Sequence, residues 1–337
     1  MTSYYNIYGY VIAVEGKVDT LFAKEFQHFK VNDVSKIDLH IKVNSASREL
    51  LTKPFIGSSA GIYLPFGMDE NTLYYDENLP SLDIVLAYAQ GFLWWPDKTI
   101  LHASAVEKNN KAFVFSGTGN VGKTSIILNF LINTRGFNYL ADDWLIIDKE
   151  KAYPFPKLIH IFDYNLKNKE IAKKIFGRKS IYYRILFNLI DLCWKYAPHR
   201  YFRFILDAFK PKFSVPFTKF SSNFRLGIVS KVNKLFFLER GNVNRIVIKN
   251  DIAPEEFARR LSYVNMHEWN FFFNEYYKYV SQYNVENQKI EKRFEHDYEI
   301  MLNLCHNAEL YRMIIPKGID LTRIDLTSIP VLGLKED

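Results

Sequence analysis

Gly117-Thr118-Gly119-Asn120-Val121-Gly122-Lys123-Thr124, followed at once by Ser125, fits the pattern G-x-x-x-x-G-K-[ST]. Residues of these types at this spacing make a phosphate cradle. The glycines let the backbone bend until successive N–H groups point inward, the lysine reaches terminal phosphates, and the hydroxyl of the threonine suits a hard cation. The flanks agree with that reading. Ala112-Phe113-Val114-Phe115 is a short apolar run of the kind that forms a buried strand. After the loop, Ile126, Ile127, Phe130 and Leu131 recur at helical spacing, so a helix would begin where the phosphates sit.

Working outward, Asn138-Tyr139-Leu140-Ala141 leads into Asp142-Asp143, and Trp144-Leu145-Ile146-Ile147 returns as a second apolar run. By itself an aspartate pair suits a turn between two strands. Behind a phosphate loop, paired carboxylates suit magnesium ligation and the removal of a proton from an attacking hydroxyl. A GTPase is excluded by its other parts. None of the fifteen glycines follows an aspartate at the D-x-x-G spacing, and Asn233-Lys234 continues as Leu235-Phe236, so no guanine-reading N-K-x-D is present.

The order His102-Ala103-Ser104-Ala105-Val106, then Gly117 to Ser125, then Leu140-Ala141-Asp142-Asp143 resembles the catalytic domain of HPr kinase/phosphorylase and its relatives, a family that shares its nucleotide-binding core with phosphoenolpyruvate carboxykinase. The resemblance covers about fifty residues. It implies an α/β phosphate-loop kinase core that binds ATP and Mg²⁺. The implied catalytic residues are His102, Lys123, Asp142 and Asp143. The implied nucleotide cradle is Gly117, Thr118, Gly119, Asn120, Val121, Gly122, Lys123, Thr124 and Ser125, with Thr124 and Asp142 as metal ligands. The family's second signature, a glutamate with Arg-Gly soon after the aspartate strand, has no counterpart at that distance. Glu239-Arg240-Gly241 lies far downstream and reads as a strand end. The missing signature points away from phosphorylase activity and from HPr as substrate, towards the family's divergent kinases.

The 337 residues are 48% apolar, enough for one large domain or two modest ones. Only two cysteines occur, Cys193 and Cys305, far apart, which fits neither a disulfide framework nor a C-x-x-C site and sets a reduced, cytoplasmic expectation. MTSYYNIYGY lacks the layout of a signal peptide, and no apolar run reaches the length of a membrane span. Before the loop, strands are expected over residues 4–15, 38–43, 61–64 and 72–75, then a helix over 82–94. Trp94-Trp95 reads as core packing rather than an adenine platform. After it, residues 234–238 and 244–249 read as a strand pair turning at Arg240-Gly241-Asn242, with a helix from Pro254 and a last strand over 309–315.

Between Leu166 and Arg225 the composition changes. Fourteen lysines and arginines face three acids, an excess of eleven positive charges, whereas the whole chain carries +7. Fourteen aromatic residues are interleaved with them. Two or three amphipathic helices are expected here, for example over 181–194. Charge this concentrated suits an anionic partner: an acidic peptide, a phosphorylated or lipid-linked substrate, an anionic membrane face or RNA. No RNA-recognition signature accompanies it, which sets nucleic acid aside.

The expected architecture is therefore a β-rich portion (1–80), a phosphate-loop kinase core (81–165), a basic aromatic helical insertion (166–225) and the remainder of the core with C-terminal helices (226–337). The expected function is transfer of the ATP γ-phosphate to a hydroxyl of a peptide or protein serine or of a small, anionic hydroxylated molecule. The alternative is a nucleotide-binding regulatory or assembly protein without turnover. Peripheral membrane contact and an oligomer are both compatible with the sequence.

Overall fold

The computed structural model of the chain describes residues 2–43, 54–57, 61–67, 71–79, 81–196, 213–220, 224–326 and 329–332. The fold is mixed α/β with several sheets. It divides into two compact units, Met1–His102 with Ile146–Glu150 and Ala253–Asn307, and Ala103–Leu145 with Lys151–Ile252 and Ala308–Asp337.

The first unit holds a seven-stranded sheet in the order β3-β1-β2-β4-β7-β6-β5. Its strands are β1 (Thr2–Ile7), β2 (Tyr10–Glu15), β3 (Lys30–Val31), β4 (Leu39–Val43), β5 (Ile56–Gly57), β6 (Ile62–Leu64) and β7 (Thr72–Tyr75). The stretch 4–15 is thus two strands rather than one. Tyr8 and Gly9 take φ of +51° and +92° and fold β1 back on β2 as an antiparallel hairpin, a turn that glycine permits cheaply. The helices α1 (Asp19–Glu25) and α2 (Asp83–Gly91) and four helices between Pro254 and Asn307 complete the unit. Trp95 packs in the core. Trp95 is buried and donates its indole N–H to the Ile7 carbonyl at 3.0 Å, while Trp94 stacks on His296 at 4.3 Å.

Counting β8 (Thr99–Leu101), β12 (Leu145–Ile147), β13 (Lys151–Tyr153), β14 (Ile159–Ile161) and β15 (Phe213–Val215) in chain order, the second unit is built on β9 (Ala103–Lys108), β10 (Lys111–Ser116), β11 (Asn138–Ala141), β16 (Ser230–Gly241), β17 (Val247–Lys249) and β18 (Glu309–Pro316). Their order is β11-β9-β10-β16-β18-β17. The β10–β16 and β16–β18 pairs are parallel, and β9 is antiparallel to both β10 and β11. The expected hairpin between 234–238 and 244–249 is not formed. Instead β18, some sixty residues downstream, inserts between them, pairing in parallel with β16 and antiparallel with β17. Parallel pairing suits the interior of a sheet covered on both faces, and β16 is apolar enough for it, with Leu235, Phe236, Phe237 and Leu238 all buried. Helix α3 (Lys123–Asn133) buries Ile126, Ile127, Leu128, Phe130 and Leu131. Phe130 and Phe236 pack on Phe115 at 5.9 and 5.0 Å between ring centres. The Thr134 hydroxyl caps the helix end by donating to the Phe130 carbonyl at 2.7 Å.

The basic segment begins with α4 (Asp163–Leu166), α5 (Lys169–Phe176) and α6 (Ser180–Tyr196), then continues through a short strand, Phe213–Val215, paired with Ile159–Ile161. Arg200, Arg203, Lys210 and Lys212 lie outside the described residues.

Candidate functional site

Strand direction gathers the candidate residues. The chain leaves β10 at Ser116 and enters the glycine loop, so the loop lies at the C-terminal end of β10. Because β9 runs antiparallel, its first residues stand at this same end, with Ala103 opposite Ser116 and Ser104 opposite Phe115. Because β11 reverses again, its last residue, and with it Asp142-Asp143, arrives there too. The parallel strand β16 brings Leu238 to Gly241 to this end as well, since Ser116 pairs with Phe237. Ligands of open α/β sheets bind at the C-terminal ends of parallel strands, and here four strand termini converge on one.

The loop has the backbone its glycines allow. Gly117 takes φ of +146°, and a Cβ there would stand 2.7 Å from the Leu238 carbonyl oxygen. Gly122 takes φ of +118° and caps α3 from a left-handed conformation. Side chains at either position would be strained. Behind Gly122 the helix begins with Lys123, so its unpaired N–H groups and the positive end of its dipole face the loop. The Lys123 ammonium is held over the loop by the carbonyls of Gly117 (2.7 Å) and Thr118 (3.0 Å).

Asp142 is the electrostatic centre. It is buried and accepts a hydrogen bond from the Ser104 hydroxyl at 2.5 Å, with the Thr124 hydroxyl near enough to favour its charged form. Burial pushes its pKa from 3.8 to about 6, with the neighbouring Asp143 carboxylate adding to the rise, while the two hydroxyls and Lys123 pull the other way. Asp143 is half-buried and held at φ of +72°, a left-handed conformation that aspartate adopts more readily than most residues. Thr124, Asp142 and Asp143 form a small set of hard oxygen donors. That suits magnesium, which takes one or two carboxylates and leaves its other positions to water and phosphate. No cluster of three or more His, Cys, Asp or Glu that could hold a metal occurs among the described residues.

Lys123, Thr124, Asp142 and Asp143 are thus brought together with the loop. His102 lies in the other unit. There its amide donates to Asn265 at 2.8 Å and its Nε2 stands 3.4 Å from the Glu268 carboxylate, both on the helix Pro254–Glu268. Two contributors escaped the sequence reading. Ser104 sits inside the quoted stretch, but only the antiparallel register of β9 shows that it meets Asp142. Arg240 has the local sequence of a strand end. It stands beside the loop, its Nη2 3.4 Å from where a Gly122 Cβ would be and its Nη1 donating to the Pro316 carbonyl at 2.9 Å. The signal was Glu239-Arg240-Gly241 at the close of an apolar run, which becomes informative once that run is placed parallel to β10.

The raised Asp142 pKa carries a stability signature. The neutral form is favoured in the folded protein, so the associated stability is full below about pH 4 and is lost as pH climbs through about 6. About two units at 1.36 kcal/mol each sets an upper limit of ~3 kcal/mol. Asp142→Asn is expected to match the wild type in acid and to melt higher than it above about pH 6 without magnesium. Thermal melts of both proteins across that range check this; equal melting temperatures at alkaline pH would contradict it.

No protein-family model and no curated protein matches the chain.

Proposed function

We propose that the protein is an ATP-dependent kinase of the phosphate-loop type, transferring the γ-phosphate to a hydroxyl of a serine in a peptide or protein or of a small hydroxylated molecule. The observation that carries this reading is that the glycine loop and the start of its helix, with Lys123 and Thr124, arrive at the same end of the sheet as the buried carboxylate of Asp142. Helix terminus, lysine, hydroxyl and carboxylate then stand at one end of the sheet, and each has a task in moving a phosphoryl group.

The loop amides and Lys123 neutralise the β- and γ-phosphates. Thr124 and Asp142 would hold magnesium, which when bound offsets charge on the phosphate oxygens. Asp142, buried and held by the Ser104 hydroxyl, suits that holding role, and Asp143, nearer to solvent, suits the base. In the reaction, Asp143 takes the proton of the acceptor hydroxyl, the acceptor oxygen forms its bond to the γ-phosphorus, and the bond to the β–γ bridging oxygen breaks as ADP leaves. Arg240, at the mouth of the loop, adds a second cation on the side opposite the aspartates.

Calorimetry tests the nucleotide half of this reading. MgATP and MgADP should bind and AMP should not, because the cradle is built for the terminal phosphates. Arg240→Gln should weaken MgATP roughly tenfold, the worth of one hydrogen bond to a charged group at about 1.5 kcal/mol. AMP binding as well as ADP would contradict the assignment.

A further inference from the structure

Helix α6 is the feature that the proposed function leaves unexplained. Of the thirteen exposed large hydrophobic side chains among the described residues, seven lie on it: Ile181, Tyr182, Ile185, Leu186, Leu189, Leu192 and Tyr196. Their exposures run from 38% for Leu186 to 71% for Tyr196. At 3.6 residues per turn, all seven fall within one arc of roughly 140°. The inward face is fixed separately by Tyr183, which stacks on Phe176 at 4.2 Å, Phe176 in turn meeting Phe213 edge-on at 5.1 Å. The helix therefore turns one apolar face to its own unit and presents a second to solvent. A contiguous apolar surface of this kind marks a partner.

The charge around it says which partner. Between Leu166 and Ser180 stand six basic residues, Lys167, Lys169, Lys173, Lys174, Arg178 and Lys179, against the single acid Glu170, and all six are exposed. A second copy of the chain would set this positive excess against itself across a two-fold axis. A nucleic acid would take the charge and leave seven apolar side chains in water. An apolar stripe that directly follows a run of exposed lysine and arginine suits a helix lying in an interface plane, with aliphatic side chains in the acyl region and cations among headgroups. Tyr182 and Tyr196, towards opposite ends of the stripe, suit the headgroup boundary, where an aromatic ring is apolar and its hydroxyl wet. Among the described residues no helix is long and apolar enough to cross a membrane, so α6 would lie on the surface. We propose that α5 and α6 dock the protein on an anionic lipid bilayer, a role independent of the phosphate-loop reading.

The test uses the full chain and vesicles of phosphatidylcholine alone or mixed equally with phosphatidylglycerol. Flotation should recover the protein with the anionic vesicles and at least about tenfold less with the neutral ones or at 1 M salt, where the screening length falls to about 3 Å. Ile185→Glu with Leu189→Glu should abolish recovery. Both side chains are more than half exposed, so the melting temperature and any ATP turnover should stay unchanged. Cys193 offers a second readout. It is exposed, lies within the same arc, and the chain's other cysteine, Cys305, is buried. An environment-sensitive fluorophore on Cys193 should shift to the blue with anionic vesicles only. Recovery that ignores the glutamates, or a fluorophore that stays in water, would overturn the proposal. So would a dimer in light scattering that the same glutamates dissociate, since it would give the face to a second copy.

Discussion

Lys123→Ala is expected to reduce phosphate transfer by at least about a hundredfold, the scale on which a single electrostatic contact to a transition state acts, and to weaken MgATP binding. The ammonium is the one charge that the loop itself directs over its own concavity, through the carbonyls of Gly117 and Thr118. The helix dipole, worth about half a charge at its N-terminus, cannot replace it. The fold should persist. The exposed Thr118 carbonyl can turn to water, while the buried Gly117 carbonyl is left without this donor, a cost of about 1–3 kcal/mol. Steady-state transfer rates and calorimetry, with a thermal melt as control, check this. Unchanged affinity together with unchanged turnover would sink the phosphate-loop assignment.

Asp142→Asn and Asp143→Asn are expected to separate binding from chemistry. Each should keep most nucleotide affinity, because the loop and Lys123 supply it, and each should lose about 10²–10⁴ in turnover. The reasons differ. At position 142 a carboxamide can still accept from Ser104 but brings no charge to a cation; at position 143 it cannot accept the proton of the acceptor hydroxyl. The two variants should therefore respond differently to magnesium. High magnesium should partly restore Asp142→Asn and leave Asp143→Asn inactive. Titration of activity against magnesium in both variants decides it, and full activity in either would return that residue to a plain turn. The expected rise in melting temperature of Asp142→Asn above about pH 6 separates its lost activity from misfolding.

The legible parts of the site were those written locally. A glycine pattern between an apolar run and a helical one names a strand, a loop and a helix without tertiary information, and Asp142-Asp143 follows at the end of the next apolar run. What stayed hidden depended on which strands lie side by side. Arg240 is more than a hundred residues from Gly122 in sequence and reaches the loop only because β16 pairs in parallel with β10. The same blindness produced the false hairpin of 234–249. Its two apolar runs and intervening Arg240-Gly241-Asn242 have the local chemistry of a turn, and nothing near them announces that β18 will come between. The 4–15 run failed in the opposite sense. Its single glycine was a turn signal outweighed by apolar residues on either side. The basic segment was visible as composition, but which face of α6 meets solvent follows only from the inward packing of Tyr183 on Phe176.

The central claim is phosphate transfer, and γ-labelled ATP tests it most directly. Label should pass from ATP into one size fraction of a cell extract when the wild-type chain is added, and should fail to pass with Asp143→Asn at equal concentration. MgATP binding without label entering any fraction would contradict the claim and leave a nucleotide-binding protein that does not turn its nucleotide over.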